Sequence, residues 1–179
     1  MPRWFNPPLR AYHGTDTGAL GVAGGTLAPG TPHGFTPNLA RCRPFTDFGQ
    51  GFYLTTRLHQ AQQWANAKVL RTPARTSAVV VEFVLDRDHL AALEALCFLR
   101  ETRDFWDFIH DCRGGFLSHG RTYPRGPYDL VYGPVTLWPQ RLTIHNCDQL
   151  GFHTARALTV LGSHPTIKDI ASGNSGLFP

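Results

Sequence analysis

The strongest constraint on the fold of this chain is the block Asp47-Phe48-Gly49-Gln50-Gly51-Phe52-Tyr53-Leu54-Thr55-Thr56, in which two glycines stand among aromatic residues. Glycines allow the backbone to turn tightly and approach a flat ligand, and aromatic faces can then cover that ligand. From Phe52 to Thr56 the block has a period of two, which is typical of a strand with one row on a core and Tyr53 facing a pocket. The block therefore predicts a turn, a strand and a pocket.

A second segment, Ala11-Tyr12-His13-Gly14-Thr15, reads as a short strand that stops at a glycine. A ring nitrogen of His13 and the backbone groups of Gly14 would be presented together at the strand end. Taken alone, a tyrosine in a strand or a single histidine is more often a packing residue. The Gly-x-Gly is also weak alone, because the dinucleotide-binding fingerprint needs a third glycine that opens a helix. The two segments indicate a ligand site only when they are considered together.

In combination they resemble the ADP-ribosyltransferase superfamily of the His-Tyr-Glu/Gln type, in which a His-Gly dipeptide and a tyrosine on the next strand form the nicotinamide pocket. More narrowly, the chain looks like an uncharacterised bacterial family of ADP-ribosyltransferase-like domains. The similar blocks are Tyr12-His13-Gly14-Thr15, Asp47 to Thr56, Gln60-Ala61 with Trp64-Ala65, Tyr128 to Val135, and Asp148-Gln149 with Phe152-His153-Thr154 and Ala157-Leu158. The resemblance implies an α+β fold with a split β-sheet core and flanking helices.

The resemblance also implies a mono-ADP-ribosyltransferase that uses NAD as its substrate and needs no metal. Its catalytic residues would be His13, Tyr53 and Gln149. Gly14 would bind the carboxamide, Tyr53 would stack on the nicotinamide ring, His13 would bond a ribose hydroxyl and Gln149 would orient the nicotinamide ribose. The residues expected to contact NAD are His13, Gly14, Thr15, Arg41, Arg43, Phe48, Gly51, Phe52 and Tyr53. Two alternatives stay open: an NAD glycohydrolase, and a non-catalytic module that binds NAD or ADP-ribose.

Gln149 departs from the pattern, because relatives of this fold commonly carry a glutamate at the matching position. A neutral amide keeps the hydrogen bond to a ribose hydroxyl but supplies no charge for the transition state. Either transfer proceeds with a weaker electrostatic contribution, or the chain binds NAD and does little with it. Asp148 and Gln149 cannot both enter the pocket unless a bulge intervenes, since neighbouring residues on a strand point to opposite faces. Glu82 lies on another strand, and Glu94 and Glu101 favour a solvated helix face.

Length and composition suit an ordered single domain of 179 residues, with 42% apolar and 17% charged residues. The net charge of +4 does not cluster into a basic run, so no nucleic-acid stripe is indicated. Arg41 with Arg43, and Arg113, Arg121 and Arg125, are either solvated surface or a clamp for the NAD diphosphate. The resemblance implies an acceptor that is either a macromolecule or a small molecule. A toxin or effector of this type would have an antitoxin or immunity protein as a partner.

The chain shows no apolar core of signal-peptide length and no stretch that could span a bilayer. We expect it in the cytoplasm, or delivered as an effector without a visible signal peptide, and not at a membrane. Four cysteines without Cys-x-x-Cys spacing do not indicate a zinc site. Residues 1–161 would form the ADP-ribosyltransferase-like domain. Periodicity disappears after that, which predicts a loosely attached tail over 162–179.

Local patterns predict the remaining elements. Glycines and prolines from Gly24 to Thr46 predict a long irregular segment that acts as a lid or a binding element. Pro134 should restrict its strand to an edge or an end of a sheet. The predicted strands are 11–13, Ser77–Leu85, Tyr128–Val135 and Gln149–Phe152, and the predicted helices are Arg57–Leu70, Arg103–Asp111 and Thr154–Leu161, the last capped by Thr154.

Overall fold

The computed structural model describes residues 7–21, 27–72, 76–116, 118–122, 125–162, 165–172 and 175–179. They form a mixed α+β fold with two β-sheets, which confirms the predicted fold class. In chain order the elements are β1 (Leu9–Asp16), a 3-10 turn (Leu39–Arg41), β2 (Phe52–Leu54), α1 (Leu58–Arg71), β3 (Ala78–Leu85), α2 (Arg87–Ala91), β4 (Ala95–Cys97), α3 (Arg103–Arg113), β5 (Leu130–Leu137), β6 (Leu142–Phe152), α4 (Ala155–Thr159) and β7 (Thr166–Ile170).

The chain divides into two compact units, which are described separately. Unit 1 comprises Met1–Thr36, Leu54–Leu90 and Leu161–Pro179, and unit 2 comprises Pro37–Tyr53 and Ala91–Val160. The sequence predicts one domain over residues 1–161. That prediction stays a prediction, and each unit combines segments that are distant in the chain, an arrangement that no local pattern indicates. No helix within the described ranges is both long enough and apolar enough to cross a membrane.

Unit 1 is built on a three-stranded sheet in the order β1-β3-β7, with antiparallel pairing on both sides of β3. The nearly continuous apolar run predicts a central strand over Ser77–Leu85, and β3 confirms it. Helix α1 packs through Ala61 and Ala65 into a core with Val80. Its sequence predicts Arg57–Leu70, which the observed helix confirms to within one residue at each end.

The C-terminal segment of unit 1 differs from the loose tail that the sequence predicts. Strand β7 pairs with β3, and Ile167 is fully buried. Further on, Phe178 lies in the core with Ala61 and Ala65, and the Gly176 carbonyl accepts a 2.7 Å hydrogen bond from Ala78 N. The sequence hides this attachment because single apolar residues among glycines and serines show no period, while the partner strand supplies the pairing.

Unit 2 is built on a four-stranded sheet in the order β2-β6-β5-β4. Strands β5 and β6 are antiparallel, and β4 and β5 are parallel. Pro134 therefore lies on an inner strand, and the prediction that it marks an edge is wrong. The structure accommodates it because β4 pairs only with Leu130 to Tyr132, and because the β5–β6 register shifts just after Pro134.

Helix α3 covers this sheet, and its buried residues Phe105 and Ile109 form a core with Phe48 and Val131. Thr102 caps the helix by accepting a 3.2 Å hydrogen bond from Phe105 N. The shorter helix α4 is capped by Thr154, as its sequence predicts. The long segment from Gly24 to Thr46 contains, among its described residues, only the 3-10 turn and a single bridge at Pro32.

Candidate ligand site

The turn before β2 is held by the hydroxyl of Tyr53. This oxygen accepts a 3.0 Å hydrogen bond from Phe48 N, donates to the Gly49 carbonyl at 2.8 Å and lies 2.8 Å from Thr46 Oγ1. Gly49 has a φ of 79°, which residues with a Cβ rarely adopt, so glycine is required there. The turn and the strand that the sequence predicts are therefore locked together by the predicted catalytic tyrosine.

Tyr53 acts in this setting as a neutral aromatic ring. Burial raises the pKa of its hydroxyl well above the ordinary value, and the hydrogen bond with Thr46 only partly offsets that effect. Its half-buried ring meets the ring of His153 edge-on, with the centroids 6.0 Å apart. The ring also stacks on Phe48, with the centroids 6.3 Å apart and the planes 27° apart, and stacking of Tyr53 on a ligand stays a prediction.

Asp47 is the buried centre of a polar network in unit 2. Its carboxylate accepts hydrogen bonds from Thr136 N at 2.9 Å, from Thr136 Oγ1 at 2.7 Å and from Gln149 Nε2 at 2.8 Å. Arg113 adds a charged pair through Nε and Nη2. The carboxylate is only 4% exposed, so these donors replace water around a buried charge. Asp47 therefore joins the turn, α3, β5 and β6.

Gln149 belongs to this network. Its Nε2 donates to Asp47 Oδ2 and to the Pro134 carbonyl at 3.0 Å, and the residue is 5% exposed. Both amide protons are therefore used inside unit 2, which leaves Oε1 as the atom with which it could accept a hydrogen bond from a ribose hydroxyl. The catalytic role implied by the resemblance stays a prediction, and the contacts give Gln149 a structural role as well.

Replacing Gln149 by glutamate is expected to destabilise this chain. In Gln149→Glu, a second carboxylate would face Asp47 at the position of a 2.8 Å donor, and the Pro134 carbonyl would lose its partner. Two close carboxylates repel, so we expect the free energy of unfolding to fall by about 2–4 kcal/mol at pH 7.5. Urea unfolding measures this, with Gln63→Glu on the exposed face of α1 as the control. Equal stability of the two variants would contradict this geometry.

A histidine ring fills the space beside two glycines of unit 2. A Cβ added to Gly51 would lie 2.5 Å from His153 Nδ1, and a Cβ added to Gly151 would lie 2.6 Å from His153 Nε2. Both positions therefore need glycine for close approach to the ring. His153 Nδ1 lies 2.9 Å from the Gln50 carbonyl, which can only accept, so Nδ1 carries the proton. Nε2 is then a lone-pair acceptor.

His119 supports this ring from the side, with its centroid 4.6 Å from that of His153 and the planes nearly perpendicular. Its own tautomer is fixed, because Tyr128 N donates to Nδ1 at 3.1 Å and Nε2 faces the Phe48 carbonyl at 2.9 Å. Burial lowers the pKa of His119, and burial together with His119 lowers the pKa of His153 to about 3. Both rings are therefore neutral near pH 7.

A pocket of about 340 Å³ opens beside His153. Its described lining consists of Leu39, Ala40, Gln50, Pro127 and His153, all of unit 2 and all uncharged near pH 7. The volume lies near the lower end of small-molecule sites, which span about 300–1,000 Å³. The pocket brings together residues of two sequence blocks. Gln50 comes from the block Asp47 to Thr56, and His153, just after β6, comes from the block that begins at Asp148.

The structure revises the role predicted for Phe48. Its side chain is fully buried against Phe98, Phe108 and the core of α3, so it packs the interior rather than covering a ligand. Phe52 is also buried, at 5% exposure, and Gly51 contacts His153 as described. Alternation alone does not reveal that both faces of this short strand are covered.

His13, Gly14 and Thr15 lie in unit 1, on β1. The ring of His13 stacks on Phe35 of the long segment, with centroids 6.0 Å apart and planes 17° apart. A built Cβ at Gly14 would lie 2.0 Å from the carbonyl oxygen of Ala61, so Gly14 is where β1 and α1 approach closely. Thr15 is buried and its Oγ1 accepts a 2.8 Å hydrogen bond from Lys68. Their contacts with NAD stay predictions.

The charged residues considered as ligand contacts differ in whether other side chains already bind them. Arg41 and Arg43 are exposed in unit 2 and remain available to an anion. Arg113 is bonded to Asp47, and Arg121 is bonded to Glu94 at 2.9 and 3.0 Å, so these two are engaged in ion pairs. In unit 1, Glu82 is buried between Arg10 and Lys168, which makes it a structural carboxylate.

His119 and His153 are the residues that sequence reasoning missed. His153 stands inside a block that carries the family resemblance, and glycines two residues before it and at Gly51 were a usable signal of a packed ring. His119 lies in a glycine-rich loop without any pattern, so only the folded contacts reveal it.

Comparison with known proteins gives one match. A family model described as "Protein of unknown function (DUF3990)" matches residues 34–137, more than half of the 179-residue chain. The matched range contains the turn from Asp47 to Gly51, whereas His13, Gln149 and His153 lie outside it. No curated protein and no solved structure matches the chain.

Proposed function

The chain belongs to the DUF3990 family, and from that premise and the site of unit 2 we propose that it binds NAD and transfers the ADP-ribose group to an acceptor. The description of the family names no activity. The proposal therefore rests on the pocket and on the resemblance of the sequence blocks to ADP-ribosyltransferases.

One observation carries the proposal. The pocket of unit 2 is lined by Gln50 and His153, which come from two of the blocks that resemble ADP-ribosyltransferases, and by Leu39 and Ala40 from the long glycine-proline segment. Its small size and uncharged described lining suit a flat, weakly polar group such as the nicotinamide end of NAD. The half-buried ring of Tyr53 contacts His153 and supplies an aromatic surface next to it.

The proposed reaction breaks the bond between the nicotinamide nitrogen and the anomeric carbon of the ribose. The bonding electrons leave with nicotinamide and neutralise its positive charge, so no metal is needed to activate the leaving group. A nucleophile on the acceptor then bonds to the anomeric carbon and loses its proton to solvent water. Tyr53 would position the ring, and Gln149 Oε1 would hold a ribose hydroxyl. The roles of His13 and Gly14 come from the resemblance alone.

A second function, binding of NAD or ADP-ribose without turnover, is supported by the electrostatics of unit 2. The developing positive charge on the ribose would be stabilised by a nearby carboxylate. Asp47 already receives its bonds from Arg113, Thr136 and Gln149, and the described lining of the pocket contains no acidic side chain. Transfer would therefore be slow, or absent.

Alanine substitutions distinguish these functions. We expect Tyr53→Ala and His13→Ala to lower NAD turnover by about 100-fold or more, because both remove predicted positioning groups. Tyr53→Phe keeps the ring and should lose no more than about tenfold. Nicotinamide release measures turnover, and circular dichroism checks the fold. His59→Ala on the exposed face of α1 is the control for His13→Ala, and equal rates of those two variants would overturn the role of His13.

The acceptor is identified by following the label. Purified chain is incubated with NAD that is labelled in the adenosine half, with and without a whole-cell lysate and with and without nuclease. Transfer to protein or nucleic acid supports the transferase, whereas free ADP-ribose supports the glycohydrolase. Intact bound NAD supports the binding module. If the chain neither binds nor cleaves NAD, the proposal is contradicted.

A further inference from the structure

The side chain of Gln50 joins two segments of unit 2 that line the pocket. Its Nε2 donates hydrogen bonds to the Leu39 carbonyl at 3.0 Å and to the Cys42 carbonyl at 3.1 Å, at the two ends of the 3-10 turn. Leu39 and Ala40 of this turn line the pocket, and so does Gln50 itself. One amide group therefore ties the turn to the glycine-aromatic block.

The backbone of Gln50 holds a second part of the lining. Its carbonyl accepts a 2.9 Å hydrogen bond from Nδ1 of His153, which also lines the pocket. Gly51, the next residue, leaves room for that ring, because an added Cβ would lie 2.5 Å from Nδ1. Gln50 thus holds the lining on two sides, through its side chain at the turn and through its backbone at the histidine.

The bonds within the turn are short-range. Asn38 Oδ1 accepts a 2.9 Å hydrogen bond from Ala40 N, and Cys42 N donates to the Leu39 carbonyl at 3.0 Å. Such bonds shape a turn but do not fix its position in the fold, and a single 3-10 turn is weak by itself. The amide of Gln50 reaches the turn from 8 and 11 residues further along the chain, so it does fix that position.

We propose that Gln50 is a positioning residue for the nicotinamide end of NAD, because its amide holds Leu39 and Ala40 in place as one wall of the pocket. This inference rests on the proposed binding of NAD and gives Gln50 a role that the sequence does not indicate. Both protons of the amide are used on the turn. Gln50 therefore acts through the turn, and a wall that is already in place lowers the cost of ordering it around a ligand.

A variant of the same length tests this role. Gln50→Met removes the donor and leaves the turn untied, so we expect NAD to bind about 3- to 10-fold more weakly at pH 7.5. ADP-ribose lacks the nicotinamide and should bind as it does to the original chain. A general loss of structure would weaken both ligands, so their unequal response separates positioning from a purely structural role.

Calorimetric titration measures both affinities. Gln140→Met, at an exposed position of unit 2, is the control and should bind NAD like the original chain. Unchanged NAD affinity in Gln50→Met would overturn the inference, and so would equal weakening of NAD and ADP-ribose.

Amide hydrogen exchange tests the tether without any ligand. Cys42 N donates to the Leu39 carbonyl, and we expect it to exchange about 3- to 10-fold faster in Gln50→Met, while Ile109 N in α3 exchanges as before. Unchanged exchange at Cys42 would overturn the inference. If Gln50→Met does not fold, Gln50→Asn replaces it, because a side chain one methylene shorter cannot reach both carbonyls and should loosen the turn in the same way.

The two proposals fail in different ways. If exchange at Cys42 rises in Gln50→Met but the original chain binds no NAD, the tether stands as a contact, whereas the proposed function and the positioning role both fail. If the original chain binds and cleaves NAD but Gln50→Met binds it equally well, the proposed function stands and the role of Gln50 fails.

Discussion

Asp47→Ala is expected to lower the free energy of unfolding by about 3–5 kcal/mol, because it leaves the partners of a buried carboxylate without an acceptor. The guanidinium of Arg113, the N–H and hydroxyl of Thr136 and the amide of Gln149 would all lose a bond. For a chain of this size the melting temperature should fall by roughly 10 °C. Urea and thermal unfolding measure both quantities.

An exposed aspartate provides the control. Asp107 pairs with Arg103 at 3.5 Å one turn apart on α3, and its side chain is 60% exposed. Asp107→Ala should change stability by about 0.5 kcal/mol or less. A double-mutant cycle of Asp47→Ala with Arg113→Ala should give a coupling of more than about 1 kcal/mol. If Asp47→Ala cost no more than Asp107→Ala, the network would not hold unit 2 together.

Gly14→Ala is expected to destabilise unit 1 by about 3 kcal/mol or more, because the new Cβ would overlap the backbone of α1. The Cβ would lie 2.0 Å from the Ala61 carbonyl oxygen and 2.8 Å from Ala65 N. Neither atom can move aside as a flexible side chain would. Strand β1 and helix α1 would therefore have to separate, which exposes part of the apolar core to water.

Gly34→Ala is the matched control for this clash. A built Cβ at Gly34 meets nothing within 4 Å, and the residue has no positive φ. We expect a change of about 0.5 kcal/mol or less. Similar unfolding curves for the two variants would show that β1 and α1 are not packed so closely. Because the cost of Gly14→Ala is structural, its loss of activity alone cannot report carboxamide binding.

The elements of the fold that the sequence predicts well are those with strong local patterns. The apolar run of β3 and the periodic face of α1 determine their own type, because burial requires them. The misplaced edge at Pro134 shows the limit of such reasoning. The proline is tolerated on an inner strand since β4 ends at Tyr132 and the register shifts after it, both of which depend on neighbouring strands.

Local sequence patterns predict some features of the candidate site, whereas others depend on contacts between distant parts of the chain. The glycine-aromatic block correctly predicts a tight turn followed by a strand, but it does not reveal that Phe48 packs inward or that the hydroxyl of Tyr53 is bonded to the turn. The donors around Asp47 come from residues that are 66 to 102 positions away in the chain. No local period encodes such contacts, so the role of Gln149 in this network could not be predicted.

If the chain is the proposed transferase, the contacts of Gln149 predict a slow reaction. Gln149 supplies an amide where the ADP-ribosyltransferases that the sequence resembles commonly have a carboxylate, and a carboxylate at this position would disturb Asp47. In the proposed reaction, positioning of the nicotinamide ring by Tyr53 would then provide most of the rate acceleration. The rate of such an enzyme would then depend on how precisely the acceptor is positioned.

Release of nicotinamide from NAD by the purified, folded chain tests the central claim most directly. Chromatography follows free nicotinamide over time at pH 7.5, with the acceptor-containing lysate added and with Tyr53→Ala as the inactive reference. We expect release above the spontaneous rate by the original chain and by Tyr53→Phe, but not by Tyr53→Ala. If the folded original chain released nicotinamide no faster than the spontaneous rate, the proposed transferase would be contradicted.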